Sequence, residues 1–132
     1  MDLDILKIAS DTKNNRVIQN YTHSLKLKNS LCGDEIQIKI ILKKDEITDF
    51  GYQGKSCVYC QASASLLSKI SINNKKKELN ELCDDAKSYF EGNSKIIKNK
   101  WLFLRKLFKK NNISRKECLL LPFKTLKKIV SN

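Results

Sequence analysis

A small α+β domain, with helices packed on one face of a three-stranded antiparallel sheet, is the fold class that the sequence predicts. Two observations predict it. Between Ile36 and Leu42 the apolar residues Ile36, Ile38, Ile40 and Leu42 alternate with Gln37, Lys39 and Ile41, the two-residue period of a half-buried strand. From Tyr59 onward apolar residues recur instead at steps of three and four, the period of helices. Strands early and helices late, with no repeated strand-helix-strand alternation, favour an antiparallel sheet covered by helices over a parallel one.

Taken in order, Leu3, Leu6, Ile8 and Ala9 form a short helical stripe that breaks at the turn formers Asp11-Thr12-Lys13-Asn14-Asn15, so a brief N-terminal helix is expected. Val17, Ile18, Tyr21 and Thr22 predict a short strand. The alternating run from Ile36 follows. Lys43-Lys44-Asp45-Glu46 then predicts a turn, and Ile47, Asp49 and Tyr52 continue in an extended run, making an antiparallel hairpin. Ala and Ser residues with Leu66, Leu67 and Ile70 predict a helix from about Tyr59 to Ile70, ended by the loop Asn73-Asn74-Lys75. Leu79, Leu82, Ala86, Tyr89 and Phe90 predict a second core-facing helix, with Gly92-Asn93 as its stop signal. Ile97, Trp101, Leu104 and Phe108, at steps of four, three and four among Lys and Arg, give a strongly amphipathic third segment, and a final helix is expected from Leu119 to Val130.

The chain of 132 residues suits one domain spanning 1–132, long enough for a single core and too short for two. Its 41% apolar and 30% charged content is that of a globular chain, and no apolar run approaches the length of a bilayer span, so a soluble protein without membrane contact is expected. The acidic opening Met1-Asp2-Leu3-Asp4 has the wrong order of charge and apolar run for a secretory signal, which points to a cytoplasmic location. Five cysteines are an odd number, and in a reducing compartment they are thiols, metal ligands or nucleophiles rather than disulfides. A formal charge of +12 suits a nucleic-acid or other anionic partner in principle. Lysine is spread through nearly every segment, however, and no aromatic-basic motif accompanies it, so the charge reads as compositional bias and no nucleic-acid partner is expected.

Chemistry concentrates at three element boundaries. Leu31-Cys32-Gly33-Asp34 precedes the alternating strand, and its glycine permits a turn that brings a thiolate and a carboxylate to one side, as metal ligation needs. Gly54-Lys55-Ser56-Cys57 places a cysteine at a strand-to-helix junction, where helix N-terminal amides favour thiolate. Cys118 stands at the start of the last helix with Arg115 and Lys116 close by, cations that also favour thiolate, although Glu117 opposes them. Each site puts a sulfur where separate loops of a small fold can converge on one metal.

These stretches resemble, in order and spacing, the family of iron-sulfur cluster scaffold proteins that comprises IscU, the NifU N-terminal domain and SufU. Leu31-Cys32-Gly33-Asp34 is similar to the family's first cysteine motif, with Glu35 through Leu42 as the strand after it and Ile47-Thr48-Asp49-Phe50 as the second strand. Cys57-Val58-Tyr59-Cys60-Gln61-Ala62-Ser63-Ala64-Ser65 is similar to the family's cysteine followed by an Ala-Ser-Ala-Ser helix. Arg115-Lys116-Glu117-Cys118 resembles the third cysteine motif of the Suf-type branch, with an arginine three before the cysteine. The long separation of Cys57 from Cys118, and Glu117 where the IscU branch has histidine, also tilt toward that branch.

The resemblance implies a SufE/NifU-like fold, with Cys32, Cys57 and Cys118 as sulfur ligands and Asp34 as a nearby carboxylate. It implies a scaffold rather than an enzyme. Such a scaffold binds a transient [2Fe-2S] cluster, or its iron and sulfur precursors, and passes it to iron-sulfur acceptor proteins. Three thiolates and one oxygen hold a cluster less firmly than four thiolates, which suits transfer. The same four groups suit tetrahedral zinc, and the alternative is a zinc-binding sulfur acceptor of a cysteine desulfurase, with Cys118 as the persulfide carrier. A basic nucleic-acid-binding module with structural zinc is the remote alternative.

Some residues depart from the family pattern or stand outside it. Ser56 occupies the place of a glycine, restricting the turn before Cys57. Cys60 creates Cys57-x-x-Cys60, which reads as half a zinc knuckle or a redox pair; with no second such motif, it is ranked as a small residue filling a helix position. Cys83 beside Leu82 reads as a small buried apolar group, and His23 as a surface or structural imidazole. The basic side of the Ile97–Phe108 stripe, carrying Lys98, Lys100, Arg105, Lys106, Lys109 and Lys110, is expected to flank core packing and to suit an acidic patch on a desulfurase.

Overall fold

In the computed structural model, which describes residues 2–91 and 99–131, the alternating apolar run is the central strand of the sheet. This strand, β2 (Glu35–Lys43), lies between β1 (His23–Lys28) and β3 (Glu46–Lys55) and pairs antiparallel with both. Ile36, Ile38 and Ile40 are buried on the helix side while Gln37, Lys39 and Ile41 between them stay half-exposed, so the two-residue period decides which face meets the core. Each such isoleucine contributes about 1.5–3 kcal/mol on burial. Phe50 and Tyr52 stand opposite Ile40 and Ile38 and extend the apolar face across β3. Lys44 and Asp45 form the hairpin turn at φ 50° and 66°, the paired left-handed residues of a type I′ turn, which matches the twist of the strands it joins.

The helices cover this face. The first, α1 (Leu3–Ala9), is capped by Asp2, whose side chain accepts a hydrogen bond from the Asp4 amide at 2.9 Å. The others are α2 (Val58–Ser71), α3 (Lys76–Phe90) and α4 (Lys116–Val130). α4 packs across β1 and β2, α2 packs beside β3, and α1 and α3 pack on α2 and α4. One apolar cluster draws on all four helices together with β2 and β3. Among the described residues no helix is long and apolar enough to cross a membrane.

Two expectations are corrected. Residues 17–22 are not a strand: Asn20 takes a left-handed conformation at φ 58° and breaks the extended path, and the strand that pairs with β2 begins at His23. Ile18 is buried all the same, packing against Gly51 of β3. The amphipathic third segment is a 3-10 stretch over Asn99–Lys106 with a kink at Trp101, followed by a second over Lys110–Arg115. Trp101, Leu104 and Leu107 recur every third residue and are buried, the three-per-turn period that a 3-10 helix lines up on one side. The expected stop at Gly92-Asn93, Ile97 and Lys98 lie outside the described residues.

Candidate metal centre

The loop that carries Cys32 and Asp34 is closed by its own backbone. The Asn29 amide donates to the Asp34 carbonyl at 2.7 Å, and the Gly33 amide donates to the Asn29 carbonyl at 2.8 Å. The Asn29 side chain accepts from the Leu31 amide at 2.9 Å. Gly33 stands at φ 77°, a conformation that residues with a Cβ rarely adopt. This tight loop turns Cys32 outward, where it is exposed, and Asp34 inward, where it is 7% exposed.

The second and third cysteines arrive from the ends of two helices. Gly54 pairs with Ile36 so closely that a Cβ there would lie 2.1 Å from the Glu35 carbonyl oxygen, and this approach sets the point where β3 leaves the sheet. Cys57 follows as the N-cap of α2 in extended conformation. Its amide donates to Asp34 Oδ1 at 3.1 Å, which ties the first motif to the second. Cys118 sits in the first turn of α4 and is 5% exposed.

Three of the four predicted residues thereby meet, and the fourth adjoins them. The sulfurs of Cys118 and Cys32 are 3.7 Å apart. Among the described residues, Cys32, Asp34 and Cys118 place one ligand atom each within 4.8 Å of one another. Cys57 is outside that group of three but adjoins it: its amide bonds Asp34, and its thiol is among the groups that act on Cys118.

The electrostatics differ from expectation. Burial pushes the Cys118 thiol well above its ordinary value, and the neighbouring Cys57, Cys32 and Asp34 push it further. The nearby cations do not reverse this. Arg115 is turned over the ring of Tyr59, 5.3 Å from its centroid, and Lys124 pairs with Glu117 at 3.1 Å. Nor does the Cys57 thiol make a capping bond to the α2 amides. A bound cation would act in the opposite direction on Cys118 and favour its thiolate.

Asp34 carries the sign that a cation fits. Its Oδ2 is buried without a hydrogen-bond partner, whereas Oδ1 is occupied by the Cys57 amide. An unpartnered buried polar atom costs about 1–3 kcal/mol, more when charged. A metal ion among the three sulfurs would remove that cost, and a set of three sulfurs and one oxygen is chemistry suited to iron or zinc.

The remaining candidates lie elsewhere. Cys60 and Cys83 are buried, and desolvation raises both thiols to about 12. His23 opens β1, at the end of that strand away from the Asn29–Asp34 loop, with its Nδ1 2.8 Å from the Thr22 hydroxyl. Of the basic stripe, Lys109 is engaged by Asp2 and Asp4 at 3.2 and 2.9 Å. Sequence reasoning missed Tyr59 as the platform for Arg115, although an aromatic two residues beyond one ligand and an arginine three before another are a legible pair. Next to the site, Leu27, Leu31, Leu120, Lys87 and Lys127 line part of a groove of about 550 Å³.

Comparison with known proteins places these features in context. The model of the NifU-like N terminal domain family matches residues 3–87, a span that contains Cys32, Asp34 and Cys57 and stops before Cys118. The iron-sulfur cluster assembly scaffold protein IscU of Thermotoga maritima is 31% identical over 126 residues, which are 93% of this chain and 87% of that protein. The crystal structure of a candidate iron-sulfur cluster assembly scaffold for the SUF system from Fervidobacterium islandicum superposes with a TM-score of 0.87 at 27% identity, covering 96% of this chain and 93% of that one. A NifU-like N-terminal protein from Brucella abortus shares the fold, with a TM-score of 0.86 at 18% identity over 97% and 90% of the two chains.

Proposed function

The chain belongs to the NifU-like N-terminal domain family, and on that premise we propose that it is an iron-sulfur cluster assembly scaffold whose cargo is held by Cys32, Asp34, Cys57 and Cys118. The observation that carries the assignment of residues is the buried, unpartnered Oδ2 of Asp34 beside the sulfurs of Cys32 and Cys118. The cargo is a transient [2Fe-2S] cluster or its iron and sulfur precursors. The chain acts as a carrier, not as an enzyme: its residues bind the cargo and release it to acceptor proteins.

The donor set suits that work. Three thiolates from three separate segments give firm but assembled binding, and the single oxygen is the weakest ligand and the first to leave. Cys32, the exposed member, faces the side from which a donor or recipient approaches. A cysteine desulfurase is the sulfur donor this chemistry asks for, and the lysine-bearing groove beside the loop offers a partner with acidic groups a place to dock. The five cysteines are free, which suits a reducing cytoplasm, where we place this activity.

A second reading has its own support. The arginine three before Cys118 and the likeness to a SUF-system protein favour resident zinc on the same four residues, with Cys118 accepting persulfide sulfur from the desulfurase. Metal and sulfide analysis of anaerobically purified protein separates the two. Iron with acid-labile sulfide and a [2Fe-2S] absorbance spectrum lost in Cys57→Ala supports the scaffold. About one zinc per chain without sulfide supports the second reading, and neither metal in any preparation overturns both.

A further inference from the structure

The proposed site uses three cysteines, an odd number, and leaves a fourth unused one helical turn away. Cys57 is the N-cap of α2 and Cys60 is the third residue of that helix. Helix geometry puts Cα atoms so related about 5 Å apart, inside the roughly 4.4–6.8 Å that a disulfide spans. Cys60 is fully buried on α2, one turn in from Cys57, and Asp34, Cys57 and Cys32 are among the groups whose charges act on it. Cys83 contrasts with it: the charged groups acting on that thiol are Lys127 and Asp84, and no second cysteine is among them.

Pairing arithmetic makes the contrast meaningful. Cys32 and Cys118 already hold their sulfurs 3.7 Å apart, a gap that a small side-chain rotation closes. Once they pair, Cys57 has no partner left among the ligands. We infer that the metal-free site has a reversible oxidised state with two bridges, Cys32–Cys118 and Cys57–Cys60, in which Cys60 is the dedicated resolving thiol of Cys57. The oxidant is a low-molecular-weight disulfide. The Cys57 thiolate attacks it, forming a mixed disulfide and expelling one thiol; the Cys60 thiolate then attacks the Cys57 sulfur and expels the second. Two electrons and two protons leave the protein for each bridge and appear on the two released thiols.

Cys57 is half-exposed and Cys60 is fully buried, so Cys57 is the entry point for the oxidant. Closure stores the ligands as disulfides that thiols reopen, whereas a lone oxidised Cys57 is open to further, irreversible oxidation. The pairing itself stands on the thiol geometry; that it blocks cargo binding rests on the reading of the site given above.

Full-length protein stripped of metal by a chelator is incubated with oxidised glutathione, denatured, alkylated and digested with trypsin. Mass spectrometry is expected to find the peptide Ser56–Lys69 lighter by two hydrogens and unalkylated, Asn29–Lys39 cross-linked to Glu117–Lys124, and Cys83 alkylated. In Cys60→Ser, Cys57 is expected instead as its glutathione mixed disulfide, while the reduced variant takes up iron or zinc as the wild type does. Cys60→Ala gives the same readout if serine unsettles the core. Wild-type Cys57 found glutathionylated as in the variants, alkylated, or bridged to Cys32 or Cys118 overturns the inference. Correct pairing in a protein that binds no metal when reduced upholds it and defeats only the cargo assignment.

Discussion

The Ser63 hydroxyl donates to the Leu119 carbonyl at 2.6 Å, and both residues are fully buried. This bond joins α2, shortly after Cys57, to α4, immediately after Cys118. Pro122 has no amide hydrogen, so the carbonyl of Cys118 lacks its usual partner four residues on, and the bond to the next carbonyl, that of Leu119, fastens this weakened turn to α2.

Ser63→Ala is therefore expected to remove a buried hydrogen bond between helices and to destabilise the fold by about 0.5–1.5 kcal/mol in urea unfolding. A second readout is local. Alkylation of Cys118 in the folded, metal-free variant should be faster than in wild type, because its turn is no longer held to α2.

Gly54→Ala tests how the sheet aims Cys57. The added methyl would meet the Glu35 carbonyl oxygen at 2.1 Å and the Ile36 Cα at 2.9 Å, both backbone atoms that cannot swing away. The strands must part at the end that launches α2. A loss of more than about 3 kcal/mol is expected from thermal or urea unfolding, as for other severe steric insertions.

Much of this was legible in the sequence, and the reasons differ by element. The β2–β3 hairpin was readable because its alternation and turn residues are local properties. The proximity of Cys32, Asp34 and Cys118 was expected from the resemblance, because these residues stand in short motifs at element boundaries. What was not readable depends on contacts distant in the chain. The strand expected over residues 17–22 begins at His23 because pairing with β2 outweighs local β propensity and Asn20 breaks the path. The raised Cys118 thiol was missed because the motif shows Arg115 and Lys116 but not the burial, nor the turn of Arg115 toward Tyr59.

Acid should weaken the fold in a defined direction. The hydrogen bond from Lys69 holds Asp11 below its ordinary 3.8, and the one from Lys26 holds Glu35 below its ordinary 4.5. A carboxyl depressed in the folded state contributes stability above its unfolded value, and that contribution is lost as pH falls through the folded one. Stability is expected to be level from neutral pH down to about pH 5 and to drop below the ordinary carboxylate range. In Lys26→Gln the drop on acidification should be smaller, and high salt should shrink the difference, since both pairs face solvent.

Asp34→Asn separates the two jobs of that carboxylate. The amide oxygen can still accept from the Cys57 amide, as Oδ1 does now at 3.1 Å, while the negative charge and the buried, unpartnered oxygen are gone. The metal-free variant is expected to unfold within about 1 kcal/mol of wild type. Its affinity for iron or zinc should fall at least about tenfold, equivalent to about 1.4 kcal/mol, in a competition titration with a chelator. Asp34→Ala, which also removes the acceptor for Cys57, should lose both metal affinity and stability. An Asn variant that binds metal as tightly as wild type would show that Asp34 only fastens Cys57 in place and that three sulfurs hold the cargo without it.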